Sequence, residues 1–229
     1  MSVQTLLSEL NLCRGARELG AWSRRCATAL QLHGLAMSVS QGTELIWYSN
    51  ETSARLEDLQ TTLGQGPSVS APGQLLPLQV PDLPACEHEE WQQFLAAAAP
   101  LGVEAVFVWP VRSGHARLGN LTGYRRTPGA LTWRQAHDGL RIADALAHRL
   151  LAWRPVGDRP SNGPETAGVF DLHRIAVHQA TGALSARLDI PVDEALLRLR
   201  ARAFASGQSL TDTAHTILDE LPGCTESPT

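Results

Sequence analysis

Residues 103–132, "VEAVFVWPVRSGHARLGNLTGYRRTPGALT", decide the fold. The opening run, residues 103–111, is almost unbroken apolar sequence of strand length, which suits a central strand covered on both faces. Residues 117–125, "RLGNLTGYR", read as its antiparallel neighbour. From Trp133 to Trp153 the spacing changes: Ala136, Leu140, Ala143, Leu146 and Leu150 recur at steps of three and four, the period of a helix with one apolar stripe.

Toward the amino terminus, "EEWQQFLAAAA" (residues 89–99) is a helix stopped by Pro100. "LGQGPSVSA" (residues 63–71) is a tight turn feeding a helix or strand. It lacks the Lys-Ser/Thr pair of a phosphate-cradling loop and the third glycine of a dinucleotide fingerprint, so nucleotide binding is not expected there. Leu56, Leu59 and Leu63 place residues 51–63 on a helix. "LAMSVSQG" and "TELIWYSN" are two short strands separated by Gly42, and Leu19, Trp22, Cys26, Ala29, Leu30 and His33 mark a helix from Leu19 to about Leu32. Strands in neighbouring pairs with helices between them predict an α+β fold, an antiparallel sheet with helices on its faces.

In this order "LGQGP", the strand ending "FVWPV", the "LGNLTGYRRTPGALT" hairpin and the final helix resemble the GAF family, across about residues 18–152. The resemblance implies a sensor and dimerisation unit that takes a small-molecule ligand. The expected boundaries are an amino-terminal segment at 1–17, a GAF-like domain at 18–153, a linker at 154–168, a small helical domain at 169–221 and a tail at 222–229. The linker, "RPVGDRPSNGPETAG", is rich in proline and glycine and has no apolar period.

Three helices follow, at 169–188, 192–206 and 210–220. The apolar stripes are Val177, Ala180, Leu184 and Leu188; Ala195, Leu196, Leu199 and Ala203; and Leu210, Ala214, Ile217 and Leu221. Ser209 with Asp212 is a capping pattern, and Pro191 with Asp193 and Glu194 opens the middle helix. "HQATGALSARLDIPVDEALLRLRARAFASGQSLTDTAHTIL" resembles the ANTAR family through Gln179, Ala180, Gly182 and Leu184, through Ala195, Leu199, Arg200 and Ala203, and through Leu210, Ala214 and Ile217. That resemblance implies a module that binds paired RNA stem-loops in nascent transcripts and prevents a terminator hairpin from forming. The expected RNA-binding residues are Arg174, His178, Gln179, Thr181, Gly182, Arg187, Arg198, Arg200 and Arg202. Gly182 is the anomaly among them, because a mid-helix glycine costs about 1 kcal/mol relative to alanine and so implies close approach of a helix or of RNA.

Composition limits the alternatives. The net charge is −4, there is no lysine, and this balance argues against a surface that grips nucleic acid generally, so any RNA site is local. No apolar run reaches membrane-span length and the first residues lack a signal-peptide pattern, so the expectation is a cytoplasmic protein with no membrane association. The stripe in Trp133–Leu151 is long for a helix that only covers a sheet edge, and with the helix from Leu19 it is expected to form the intersubunit seam of a homodimer. Cys13, Cys26, Cys86 and Cys224 are scattered and read as reduced thiols. No metal-ligand spacing is present, no cofactor is expected, and Cys86 with His88 lacks the surroundings of a nucleophile, so an enzyme is not expected. Two other function classes stay open: a sensor acting through protein contacts, and a DNA-binding helix-turn-helix.

Overall fold

A computed structural model describes residues 2–13, 16–39, 44–70, 76–152, 169–208 and 210–220. The chain divides into two compact units, Met1–Phe170 and Asp171–Thr229.

In the first unit, α1 (Val3–Leu10) and α2 (Ala16–Ala29) precede β1 (Gly34–Val39) and β2 (Glu44–Tyr48). Next come α3 (Glu51–Leu63), the short α4 (Pro67–Ser70), β3 (Leu78–Val80) and α5 (Gln92–Ala98), the last flanked by single 3-10 turns at Glu89–Trp91 and Ala99–Leu101. The hairpin β4 (Ala105–Ser113) and β5 (Ala116–Arg125) leads into α6 (Trp133–Ala152). The five strands form one antiparallel sheet in the order β2-β1-β5-β4-β3. This is the expected α+β architecture, and the apolar run around Phe107 is indeed a strand paired on both sides and buried on both faces.

The period of two along each strand divides the sheet into two chemically different faces. Leu35, Met37 and Val39 of β1, Leu121 of β5, and Phe107, Trp109 and Val111 of β4 turn to a core shared with α1, α2 and α6. The segment expected at residues 1–17 thus contains a helix whose Val3, Leu6 and Leu10 are part of that core. The indole of Trp22 fixes the pair of helices by donating from Nε1 to the Leu6 carbonyl at 2.8 Å. On α6 the apolar stripe lies against the sheet: Ala143 and Leu146 are buried, and Leu140 and Leu150 pack on the same core. The intersubunit seam that the sequence suggested for this stripe is therefore occupied by the chain's own strands, and the solvent side of α6 presents Trp133, His137 and Leu151 instead. Gly139 permits the close approach, since a Cβ there would meet the Trp109 ring at 2.3 Å.

The opposite face carries Ala36, Ser38, Val106, Val108, Asn120, Thr122 and Tyr124, and it is covered by α3, α4 and α5. Its β3–β4 side is apolar, with Val80, Val106 and Val108 against Leu56, Trp91 and Phe94. Its β1–β5 side is polar.

In the second unit, α7 (Val169–Leu188), α8 (Val192–Ser206) and α9 (Leu210–Asp219) enclose a core of Val177, Ala180, Leu184, Ala195, Leu199, Ala203, Leu210, Ala214 and Ile217. Leu188, assigned to the inner stripe from its spacing, lies in the last turn of α7, is 39% exposed and is not part of this core. Gly207 ends α8 in the left-handed conformation, and its N–H returns to the Ala203 and Phe204 carbonyls. The expected linker 154–168, the Ser209 cap, Leu221 and the tail lie outside the described residues. No described helix is long and apolar enough to cross a membrane.

Candidate functional site

Two surfaces hold chemistry, one in each unit. In the first unit a group of polar side chains converges between the sheet and α3. Glu57 projects from the middle of α3 onto β1 and β5 and is 1% exposed. Its Oε1 accepts from Ser38 Oγ at 2.5 Å and its Oε2 from Gln60 Nε2 at 3.0 Å. Burial pushes the carboxyl above its ordinary value, and the Ser38, Thr122 and Ser68 hydroxyls and the Arg117 guanidinium pull it partly back. The Ser68 and Thr122 hydroxyl oxygens face this carboxyl yet meet no partner at hydrogen-bonding geometry.

Gln60 uses its other end on the chain that follows α3. Its Oε1 accepts from the Ser68 backbone N–H at 2.7 Å, while the Ser68 carbonyl accepts from Asn120 Nδ2 at 2.8 Å and from Arg117 Nη2 at 3.3 Å. Arg117 also donates to Asn120 Oδ1. Burial depresses the Arg117 pKa, and Glu57 raises it in return. The Gly-Gln-Gly turn positions Ser68: Gly64 ends α3 at φ +63°, and Gly66 at φ +113° lies so near Gln60 and Phe94 that a Cβ would meet Gln60 Cγ at 2.8 Å. The sequence reading did not find this group. Ser38, Asn120 and Thr122 alternate with apolar residues and so read as the solvent side of a sheet, and the usable signal was Glu57 and Gln60 lying on the buried side of a helix that covers them.

In the second unit the expected RNA-binding residues separate. The backbones of Arg174 and His178 lie in α7, but their side chains are outside the described residues. Gln179 and Gly182 are exposed. Thr181 is buried and donates to the Val177 carbonyl at 2.6 Å, so its hydroxyl serves its own helix and is not on the surface. One turn on, Ser185 donates to the Ile190 carbonyl. A Cβ on Gly182 would meet nothing within 4 Å among the described residues, which removes close packing against them as the reason for this glycine. Arg187 is exposed, Arg198 pairs with Glu194 at 2.7 Å, and Arg202 pairs with Glu220 at 2.6 Å. Arg200 is half-buried with its Nε unpartnered, and burial lowers its pKa without threatening its charge.

Missing from the sequence-based set is an apolar strip on the solvent side of α8. Leu197 is 62% exposed and Phe204 58% exposed, and exposed Ala201 lies between them. Positions 197, 201 and 204 share one helical face, opposite Ala195, Leu199 and Ala203 of the core. The signal was present in the sequence, since α8 carries apolar residues on more than one stripe.

Among the described residues no cluster of three or more His, Cys, Asp or Glu could hold a metal ion. Burial raises the Cys86 thiol pKa, and the His88 ring stacks on Trp91 with centroids 4.0 Å apart.

No family model and no curated protein matches the chain. Solved structures do. The GAF domain of a phosphoenolpyruvate-protein phosphotransferase from Coxiella burnetii is 15% identical, with a TM-score of 0.52 over 66% of this chain and 90% of that one. A domain assigned to a two-component sensor histidine kinase protein of Sinorhizobium meliloti is 13% identical, with a TM-score of 0.49 over 61% and 93% of the two chains. The first of these likenesses establishes a GAF-like fold.

Proposed function

We propose that this protein is a non-enzymatic regulator in which the GAF-like unit senses a small molecule and the three-helix unit binds stem-loop RNA in nascent transcripts, promoting antitermination. The observation that carries the RNA half is the solvent side of α8. Leu197 and Phe204 stand in water beside Arg200, which has no anionic partner among the described residues. Hairpin RNA is recognised chiefly through unstacked loop bases that lie on aromatic or guanidinium planes, together with backbone contacts. An exposed phenylalanine next to an unneutralised arginine supplies both. Such a strip also explains how a chain of net charge −4 binds a polyanion, because the site needs only a few local cations. The open surface over Gly182 on α7 gives RNA backbone a place without a side chain, which is the use left for that glycine. The sensing half is supported by the GAF-like fold and by the buried polar group around Glu57, an arrangement too costly to be filler in a sheet face.

The test is anisotropy with fluorescent hairpin RNA, the matching DNA duplex and the full chain. Leu197→Ala and Phe204→Ala together should weaken hairpin binding at least about tenfold, since stacking contributes roughly 1–3 kcal/mol per base, and should leave helicity unchanged. Equal affinity for hairpin and duplex DNA favours a DNA-binding output. No affinity for either refutes the RNA reading and leaves the strip to a protein partner.

A further inference from the structure

The segment Gln65–Ser70 is fastened at its ends and its middle by separable bonds. Gln65 Oε1 accepts from the Phe94 N–H at 3.2 Å, Ser70 Oγ accepts from Trp91 Nε1 at 2.7 Å, and Ser68 is gripped through its backbone by Gln60, Asn120 and Arg117. None of these bonds belongs to the sheet, so the segment can lift without unpairing a strand. Its removal would bare one acceptor, Gln60 Oε1, beside Asn120 Nδ2 and the one Arg117 N–H that now meets the Ser68 carbonyl, while the guanidinium keeps its bond to Asn120 Oδ1. The amide of Gln60 cannot simply turn over: its Nε2 is committed to Glu57, and Glu57 is held in turn by Ser38.

We propose that this cleft recognises a small carboxylate carrying an amide N–H, an N-acyl amino acid in chemical class, and that Ser68 occupies it as an internal substitute. The carboxylate takes the place of the Ser68 carbonyl between Arg117 and Asn120, and the amide N–H takes the place of the Ser68 N–H on Gln60. Preference over the internal segment comes from charge and geometry: a carboxylate meets the guanidinium with a full opposite charge and two oxygens, where the Ser68 carbonyl offers one neutral oxygen. Glu57 acts as a positioning residue, ordering Gln60 rather than touching the ligand. This inference rests on reading the GAF-like unit as a sensor.

The experiment is hydrogen–deuterium exchange of the full chain with N-acetylglycine as probe, against acetate and N-methylacetamide at equal ionic strength. N-acetylglycine should accelerate exchange in peptides covering residues 65–70 about tenfold and saturably, with the strand peptides unchanged, and the two partial probes should do far less. Arg117→Gln, checked for native tryptophan fluorescence, should abolish the response. No acceleration near the solubility limit of the probe overturns the proposal, as does equal acceleration by all three probes. Because the wild-type comparison needs no variant, misfolding of Arg117→Gln does not decide the matter. Hairpin RNA affinity measured in the same solutions separates the two claims: segment release with unchanged affinity supports the cleft and refutes its control of RNA binding, whereas no release refutes the cleft whatever the RNA does.

Discussion

Two glycines, each inside a helix, should respond to alanine with opposite signs. At Gly139 of α6 the added Cβ would lie 2.3 Å from Trp109 Cε2, 2.4 Å from Nε1 and 2.6 Å from Cζ2. Carbon atoms in contact prefer about 3.5–4.0 Å, so helix and ring must part by roughly 1 Å or the ring must turn. Turning would break the bond from Trp109 Nε1 to the Ala136 carbonyl, now 3.0 Å, a loss of about 1 kcal/mol. Overpacking of this kind costs about 1–3 kcal/mol, and the helix propensity gained on leaving glycine returns about 1 kcal/mol. With the bond counted, Gly139→Ala should destabilise the first unit by about 1–3 kcal/mol. At Gly182 of α7 nothing lies within 4 Å of the new atom, so only the propensity gain of about 1 kcal/mol remains. Urea titration of the full chain distinguishes the units, because every tryptophan lies at or before residue 153 and fluorescence therefore reports the first unit alone, while circular dichroism at the helical minimum follows both. A Gly139→Ala protein as stable as wild type would refute the wedge between α6 and β4. A destabilised Gly182→Ala protein would show that the surface over α7 is not open.

Further outcomes follow from the same geometry. Glu220→Gln should raise hairpin affinity and steepen its salt dependence by freeing Arg202 from its 2.6 Å partner, and Arg202→Ala should do the reverse; anisotropy at several salt concentrations reads both. Burial raises the Glu57 pKa, so the native chain holds that proton more tightly than the unfolded chain: the stability it contributes is full below the ordinary carboxylate range and is lost as pH climbs to the raised native value. Glu57→Gln should therefore gain on wild type in urea titrations as pH rises above the ordinary carboxylate range, where Ser38 can reverse and accept from the new amide. A homodimer formed through α6 must use its solvent side, so Trp133→Asp with Leu151→Asp should give monomers by sedimentation, while Leu146→Glu, placed in the core, should unfold the unit.

How far the sequence leads depends on what each residue faces. The strand at Phe107 is legible because burial on both faces leaves no room for polar alternation. The inner stripes of α7 and α8 are legible where they close a core, as Ala180, Leu184, Leu199 and Ala203 do. Period alone cannot say which apolar residues are left over. Leu197 and Phe204 have the same spacing as a buried pair, and only the placement of α9 against the other side of α8 makes them the exposed pair. The polar cleft was hidden for the converse reason. Ser38, Asn120 and Thr122 obey the rule for a sheet with one face in water, but α3 and α4 cover that face with polar side chains of their own. A sheet face kept polar under cover leaves Glu57 charged or protonated at the expense of stability, and the hydrogen bonds that limit the expense converge on the backbone of one residue, Ser68. Apolar residues of similar size would hold α3 to the sheet at least as well, whereas only a set of fixed donors and acceptors can exchange a peptide for a ligand. That difference is why the cleft, rather than the larger apolar core beside it, is the part of the first unit in which to look for its signal.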